Sequence, residues 1–217
     1  MLNIKLHTDF RDCYDYMFDR EGIPFIRFSQ DILSKREQFK LLEASGFLVP
    51  PNNYMYKLVY SLYSPKNYVV YVNPNLHRGE GKLLISRGEA LSRAEDLSLL
   101  NCYASHHIDA QSSKSHRILN IGNRQFRINY SSDDTWRSNC GNVKVEFDGE
   151  VTEDLKIPSP LTGRALWAID FVANMYAVDL NTSPSIKGSG VEDILSNTEI
   201  YELIRDFYSN LSSSKIN

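Results

Sequence analysis

An apolar strand meets a polar turn in Tyr176-Ala-Val-Asp-Leu-Asn-Thr-Ser-Pro184 and the Ser-Ile-Lys-Gly-Ser-Gly190 that follows it. Successive side chains of a strand point to opposite faces, so Asp179 and Asn181 share one face. A carboxylate and an amide side by side, before a turn rich in Ser, Pro and Gly, suit a hard cation and the phosphates that it carries. A purely structural strand more often has an apolar residue at one of these two positions.

A second acid, Asp170, precedes Asp179 by nine residues and allows two interpretations. A tight turn at Asn174-Met175 would form a hairpin in which 170 lies opposite 179. Two carboxylates directly across a ladder repel each other unless a positive charge lies between them, so this geometry predicts a divalent cation held by Asp170, Asp179 and Asn181. Alternatively, Leu161 to Asp170 forms a helix, because this run includes good helix formers, and Asp170 is then an acid at a helix end.

Several local patterns predict the elements upstream and downstream of this segment. Capping boxes at Ser34-Lys-Arg-Glu37 and Ser196-Asn-Thr-Glu199 mark two helix starts, where a hydroxyl and a carboxylate satisfy the first free amides. The first helix ends at Gly46, and the second, over 198–208, is amphipathic and precedes a polar tail. Gly122-Asn123 predicts a hairpin with a type II′ turn, because glycine stands first between two apolar runs.

A glycine loop lies between two predicted strands, Tyr68-Val-Val-Tyr-Val72 and Leu83-Leu-Ile85. Glycines let a backbone approach phosphate closely, and neighbouring cations add to the attraction. The candidate nucleotide contacts in this loop are Arg78, Gly79, Gly81 and Lys82. Many ordinary hairpins carry a similar turn, so a purely structural role is the alternative.

Two arginines stand in settings that suit an anionic ligand. Arg117 lies on the first strand of the predicted hairpin, on a face that is otherwise apolar, and a cation there needs either an acid or an anionic ligand as partner. The loop Trp136-Arg-Ser-Asn139 holds a cation and an amide, Arg137 and Asn139, although a Trp also fixes loops for packing alone. The sequence leaves both alternatives open at both places.

Bulk properties exclude several classes of protein. The 217 residues carry a net charge of −3, which argues against nucleic-acid binding driven by overall charge. No apolar run approaches the roughly 20 residues of a membrane span, and the N-terminus lacks the apolar core of a signal peptide. The three cysteines have no close pairing, so reduced thiols in a cytosol are expected. His106-His107 cannot easily share one ion, because adjacent strand residues point to opposite faces.

Taken in chain order, these segments resemble the ATP-grasp superfamily of carboxylate–amine ligases, in particular its peptide-ligase-like branch. The resemblance spans residues 38–205 and is most specific in the Arg-x-Asn loop and the acid-x-Asn segment. It implies an α+β fold of two subdomains with antiparallel sheets enclosing a nucleotide, over 38–98 and 99–208. A reduced N-terminal α/β segment, 1–37, and a flexible tail, 209–217, flank them. Such a compact and divergent form suits a small viral genome.

The resemblance implies a ligase that uses ATP and Mg²⁺ to join a carboxylate to an amine through an acyl phosphate. The metal ligands would be Asp170, Asp179 and Asn181, and the glycine loop would cover the nucleotide. The catalytic residues would be Arg117, Arg137 and Asn139. Implied partners are small-molecule or peptide carboxylates and amines, in a cytoplasmic setting (the host cytoplasm for a viral protein). The sequence leaves open whether the chain acts alone or as a homodimer.

Two departures from the family pattern support alternatives. The lysine that usually stands in the strand before the glycine loop is Tyr71 here, and Lys82, Arg78 or Lys66 are the candidates to replace it. The acid before Asn is usually Glu and is Asp179 here. A non-catalytic ATP-grasp-fold module that binds a nucleotide or a protein is therefore the second hypothesis. The third is nucleic-acid binding by an arginine cluster, Arg117, Arg124, Arg127 and Arg137.

Overall fold

The structure is a computed structural model of the chain. It describes residues 33–72, 81–93, 97–109, 114–151, 161, 163–182, 184 and 186–213. The strand-like run Ile23-Pro-Phe-Ile-Arg-Phe28 and the loop residues Arg78 and Gly79 lie outside these ranges.

Five helices and nine strands follow one another along the described chain. The helices are α1 (Lys35–Ala44), α2 (Met55–Val59), α3 (Arg87–Ser92), α4 (Leu97–Leu100) and α5 (Asn197–Ser213). The strands are β1 (Asn52–Tyr54), β2 (Asn67–Tyr71), β3 (Lys82–Ser86), β4 (Tyr103–His106), β5 (Lys114–Ile121), β6 (Arg124–Ser132), β7 (Val143–Glu150), β8 (Leu166–Val172) and β9 (Tyr176–Asn181). A short 3-10 helix, Val191–Asp193, precedes α5.

Both predicted capping boxes are confirmed. The Ser34 hydroxyl accepts the Glu37 amide, and the Glu37 carboxylate accepts the Ser34 amide at 2.8 Å. At the start of α5, the Glu199 carboxylate accepts the Ser196 amide at 2.7 Å. The C-terminal prediction needs a correction, because α5 continues past 208 to Ser213. The residues after 208 are mostly polar, although Leu211, four residues after Phe207, continues the helical spacing.

The strands form two antiparallel sheets. The N-terminal sheet has four strands in the order β1-β4-β2-β3, and the C-terminal sheet has five in the order β7-β6-β5-β8-β9. The β5–β6 hairpin pairs Ile121 with Arg124 and turns at Gly122, whose φ of +63° suits the predicted glycine-first turn. The predicted α+β class is confirmed.

Three apolar clusters hold these layers together. One joins α1 to facing residues of both sheets and includes Phe39, Tyr71 and Ile169. A second packs α5 against the other face of the C-terminal sheet, and a third packs α2, α3 and α4 against the other face of the N-terminal sheet. Each sheet is therefore covered on both faces, and β2 and β8 carry apolar residues that point to both of them.

The residues leading to Asp170 form strand β8, so the helical alternative for 161–170 is wrong. Trp167 and Ile169 enter the cluster between the sheets, while Leu166 and Ala168 enter the α5 cluster. A strand buried on both faces carries a continuous apolar run, which periodicity alone cannot distinguish from a buried helix.

The predicted pairing of Asp170 with Asp179 is confirmed, although by a different turn. Val172 pairs with Tyr176, so three residues and not two connect β8 to β9, with positive φ at Ala173 and Asn174. A bulge between Asp170 and Phe171 adds one residue to β9 and restores the register. Bulges often re-aim side chains next to functional sites, and this one keeps the two acids opposite each other.

Candidate functional site

A row of charged side chains crosses the C-terminal sheet. Arg117 of β5 lies opposite Asp170 of β8, which in turn lies opposite Asp179 of β9. The Arg117 guanidinium donates to both carboxylate oxygens of Asp170, at 2.6 Å and 2.9 Å, and it lies 5.4 Å from the Tyr130 ring. Burial by itself lowers the pKa of Arg117, but the charge and hydrogen bonds of Asp170 outweigh it and raise that pKa. The arginine therefore stays charged and fixed in place.

A second cation, Lys35, is the residue at this site that the sequence patterns did not indicate. It is the first residue of α1, its side chain is only 7% exposed, and its ammonium forms an ion pair with the carboxylate of Asp179. The same ammonium donates to the Val178 carbonyl at 3.0 Å and to the Gln38 side chain at 2.8 Å. The capping box predicts where α1 begins, but nothing local predicts that this turn reaches β9.

The edge of β9 explains why α1 lies there. The side-chain oxygen of Gln38 accepts a hydrogen bond from the Leu180 backbone amide at 3.2 Å, and the Lys35 ammonium donates to the Val178 carbonyl. An uncovered edge strand would leave such backbone groups free to pair with another chain. Gln38 thus links Lys35 to the edge strand.

Three cations together control the ionisation of Asp179. Burial by itself raises the pKa of this carboxyl, but the charges of Lys35, Lys82 and Arg117 outweigh it and hold the pKa well below its usual range. Asp179 is therefore a carboxylate at every physiological pH. Asn181 ends the same strand two residues later, half-buried and on the same face.

Tyr71 and Lys82 form the opposite wall, on the N-terminal sheet. They are paired directly between β2 and β3. Tyr71 is buried, with its hydroxyl 3.1 Å from Ser105 Oγ, and burial raises its pKa. The Lys35 ammonium lies 5.6 Å from the Tyr71 ring. Positive charge thus flanks Tyr71 from α1 and from β3, although the strand itself carries none there.

Lys66 and Arg78 are the other candidates to replace the strand lysine whose position Tyr71 occupies. Lys66 precedes β2, five residues before Tyr71, so about 16 Å of extended strand separates the two positions and excludes Lys66 as a replacement. Arg78 and Gly79 lie outside the described residues. Gly81 is described, with φ of +70° and its carbonyl accepting the Val72 amide at 2.8 Å. It places Lys82 at the start of β3.

The Trp136-Arg-Ser-Asn139 loop is attached to the same face as the charged row. The Ser138 hydroxyl is hydrogen-bonded to that of Ser115, which shares the face of Arg117 on β5. Trp136 packs against the cluster between the sheets and lies edge-on to His107, with ring centroids 5.8 Å apart. Arg137 is half-buried with its guanidinium 5.7 Å from the Trp136 ring, whereas Asn139 is exposed.

An acid at the base of this loop fixes its shape. The Asp134 carboxylate accepts the Ser132 hydroxyl at 2.7 Å and the Asn142 amide at 3.1 Å. Gly141 lies so close to this carboxylate that a Cβ there would overlap Oδ1 of Asp134, and its φ is +71°. Only glycine fits such a position without displacing the acid.

The donor set suits a small divalent cation that also binds phosphate. Asp170, Asp179 and Asn181 offer two carboxylates and an amide oxygen, which are ligands that Mg²⁺ prefers. Within the part of the chain that the structure describes, no group of three or more His, Cys, Asp or Glu side chains could hold a metal. A cation here would therefore need the amide, and ligand oxygens besides, to complete its coordination.

Comparison with solved structures identifies the fold. Two antiparallel sheets that share one apolar cluster, with helices packed on their other faces, define an α+β protein. No family model matches the sequence, and no curated protein matches it at a significant level. The chain nevertheless has the ATP-grasp fold, as three solved structures indicate.

These three are ligases that share little sequence with this chain. D-alanine–D-alanine ligase from Bacillus anthracis, complexed with ATP, aligns over 84% of this chain and 67% of its own, with a TM-score of 0.52 and 13% identity. The ATP-grasp ligase PsnB, complexed with precursor peptide PsnA2 and AMPPNP, aligns over 86% of this chain and 63% of its own, with a TM-score of 0.56 and 16% identity. A RiPP-associated ATP-grasp ligase from Chryseobacterium gregarium, complexed with ADP and a leader and core peptide, aligns over 82% of this chain and 59% of its own. Its TM-score is 0.54 and its identity 13%.

The chain thus spans between 59% and 67% of the length of these three proteins. At such identities the similarity shows the fold and not the reaction. Among the described helices, none is long and apolar enough to cross a membrane.

Proposed function

We propose that this protein is an ATP- and Mg²⁺-dependent ligase that joins a carboxylate to an amine through an acyl-phosphate intermediate. The observation that supports this proposal most strongly is the row Arg117–Asp170–Asp179 in an ATP-grasp fold, with Lys82 of the N-terminal sheet close enough to lower the pKa of Asp179. The structural neighbours named above are ligases solved with ATP, ADP or AMPPNP, and two of them were solved with peptides.

Each wall of the site has its own task in this proposal. Asp170, Asp179 and Asn181 would hold Mg²⁺, which would neutralise charge on the phosphates of the nucleotide. Lys35 and Lys82 flank Tyr71 and supply the positive charge that the family usually takes from a strand lysine. The glycine loop, with Arg78, Gly79 and Gly81, covers the nucleotide.

The reaction runs in two balanced steps. An oxygen of the substrate carboxylate attacks the γ-phosphorus of ATP, the bond to ADP breaks, and an acyl phosphate forms. The amine nitrogen then attacks the acyl carbon, inorganic phosphate leaves, and the nitrogen loses a proton to water. Arg117 and Arg137 stabilise the charge that develops on phosphate and carboxylate, and Asn139 donates from the exposed rim of the site.

The setting and the partners are part of the same proposal. The substrates are a small-molecule or peptide carboxylate and an amine, as the peptide-bound neighbours suggest. The nucleotide lies between subdomains 38–98 and 99–208, and the protein works in the cytoplasm, as a monomer or a homodimer.

Tyr71 favours a second candidate function. A buried tyrosine cannot supply the ammonium that the strand lysine gives in the family, and this supports a module that binds nucleotide or protein without chemistry. In such a module the charged row would serve binding alone.

One experiment separates the two functions. The purified protein is incubated with Mg-ATP and a mixture of amino acids and short peptides, and ADP release is measured beside the thermal unfolding midpoint. The ligase predicts a raised midpoint and ADP release that depends on the mixture and is lost in Asp179→Asn. A raised midpoint without ADP release indicates the non-catalytic module. No shift at millimolar Mg-ATP would overturn the ligase proposal.

A further inference from the structure

The two acids of the candidate metal site are both already paired. Asp170 is held by Arg117 through two hydrogen bonds, and Asp179 is held by Lys35. A pair of carboxylates directly across a ladder would repel each other if nothing positive stood beside them. Here the protein itself supplies the compensating charge, where the sequence patterns had predicted a metal ion.

The net charge of this site determines which ligand it attracts first. Lys35, Lys82 and Arg117 carry three positive charges, and Asp170 and Asp179 carry two negative ones, so the site has an excess of one positive charge. A bare divalent cation would raise that excess to three in a largely buried place, where screening by salt is weak. A nucleoside triphosphate without metal carries about four negative charges, so the positive excess of the site attracts it.

The two cations differ in how easily they can leave their acids. Arg117 is fixed by a two-pronged ion pair and lies against the Tyr130 ring. Lys35 has a flexible stem and makes single contacts, to Asp179, Val178 and Gln38. An ammonium on such a stem can turn to a phosphate oxygen, whereas a stacked guanidinium keeps its geometry. Lys35 is therefore the cation that can exchange partners.

We propose that Lys35 sets the order of binding at this site, so that metal-free nucleotide binds first and the divalent cation second. In the free protein Lys35 is the counter-ion of Asp179 and keeps divalent cations out. An arriving triphosphate draws the Lys35 ammonium onto its oxygens, Asp179 is released, and the cation is then held between that carboxylate and the phosphates. This inference rests on the proposed function, because it takes the nucleotide site as given.

The test measures metal and nucleotide separately, without turnover. Mn²⁺ alone is titrated with free Mn²⁺ followed by electron paramagnetic resonance, and AMPPNP is titrated calorimetrically in EDTA. For the wild type we expect AMPPNP to bind in EDTA and to tighten Mn²⁺ binding by about tenfold or more, the usual scale of coupling between two sites. By linkage, Mn²⁺ must tighten AMPPNP binding by the same factor.

Variants of α1 isolate the role of Lys35. In Lys35→Met we expect Mn²⁺ alone to bind about tenfold tighter, AMPPNP in EDTA about tenfold weaker, and the coupling to shrink. Lys35→Arg keeps the charge and should keep the wild-type order. Lys40→Met is the matched control, because Lys40 is exposed on the same helix and its loss changes the net charge equally.

Three outcomes decide whether Lys35 sets the order in which nucleotide and divalent cation bind. If the wild type binds Mn²⁺ alone as tightly as with AMPPNP, the order is wrong, while the proposed function survives through the bound nucleotide. If AMPPNP binds neither with nor without Mn²⁺, both proposals are overturned. If Lys35→Met does not fold, the comparison of the wild type with Lys35→Arg and Lys40→Met still decides, because loss of the order in Lys35→Arg or Lys40→Met contradicts the assignment.

Discussion

The two walls of the site carry the same kind of chemistry on very different supports. On the C-terminal sheet, Arg117, Asp170 and Asp179 stand side by side on three neighbouring strands. On the N-terminal side, the expected strand lysine is Tyr71, and positive charge comes from α1 and β3. The comparison indicates that one cluster of charges can be built either from neighbouring strands or from a helix and a separate strand.

The difference also has a physical reason. A row across adjacent strands is fixed by backbone register, so moving one member would disturb the others. A long lysine can reach the same point from several elements, because its charge lies at the end of four flexible carbons. The C-terminal wall should therefore be sensitive to each substitution, and the N-terminal wall should tolerate an exchange.

The largest effect is expected from Asp170→Asn in the C-terminal row. This change leaves the Arg117 guanidinium buried without its acid, and breaking a buried ion pair in this way typically costs about 4 kcal/mol. The free energy of unfolding, measured by urea titration, should fall by about that amount. The control is Glu150→Gln, which breaks the exposed pair with Arg124 in the same sheet and should cost less than about 1 kcal/mol. Equal losses in the two variants would contradict the picture of a rigid, buried row.

A charge exchange tests the tolerance of the N-terminal wall. Tyr71→Lys brings a third ammonium next to Lys35 and Lys82, so by itself it should lower the free energy of unfolding by about 2 kcal/mol without improving nucleotide affinity. Lys35→Met should weaken AMPPNP binding, and Tyr71→Lys in that background should restore part of it. The measurement is a double-variant cycle of AMPPNP dissociation constants.

The two changes should therefore couple favourably in this cycle. If the double variant binds AMPPNP as weakly as the sum of the single losses predicts, Lys35 does not stand in for the strand lysine. Lys66→Met serves as the control, because Lys66 lies at the far end of β2 and should leave the affinity unchanged.

How much of the site the sequence predicts follows from the same contrast. Strand alternation placed Asp179 and Asn181 on one face, and hairpin counting placed Asp170 opposite Asp179, although this pairing holds only because an unpredicted bulge offsets the longer turn. Lys35 was missed because its partner is 144 residues away, and no local pattern encodes such a contact. The helix or strand state of β8 also stayed open, since burial on both faces removes periodicity. Local rules therefore predicted the C-terminal wall, while the N-terminal wall depends on tertiary packing.

A buried histidine should make the C-terminal sheet sensitive to acid. His116 is stacked on Phe171 at 4.9 Å, and burial, together with the charge of Arg127, lowers its pKa to about 4. The unfolded chain binds this proton with a pKa near 6.5, so stability should be lost as the pH falls from about 6.5 to about 4 and should not depend on His116 outside that window. We expect a loss on the order of 2 kcal/mol.

The variant His116→Phe keeps the stacking and removes the proton site. Urea unfolding at pH 7 and pH 4.5 should show a clearly smaller acid loss for His116→Phe than for the wild type. His106 and His107, on the N-terminal side, also have lowered pKa values through burial, so some acid sensitivity will remain. An unchanged acid loss in His116→Phe would show that the C-terminal sheet is not its source.

The smallest effect should come from Tyr71→Phe, and it asks whether the hydroxyl of Tyr71 matters to the N-terminal wall at all. The change removes the hydrogen bond to Ser105 and should cost about 1 kcal/mol of stability. The ring that faces the Lys35 ammonium is kept, so AMPPNP affinity should change less than about twofold. Tyr68→Phe is the matched control: its hydroxyl donates to the Leu58 carbonyl at 3.3 Å, in the cluster on the opposite face of the sheet. Similar stability losses with unchanged AMPPNP affinity in both variants would show that the lysines, and not the Tyr71 hydroxyl, contact the nucleotide. A loss of AMPPNP affinity in Tyr71→Phe alone would show that the hydroxyl itself contacts the nucleotide.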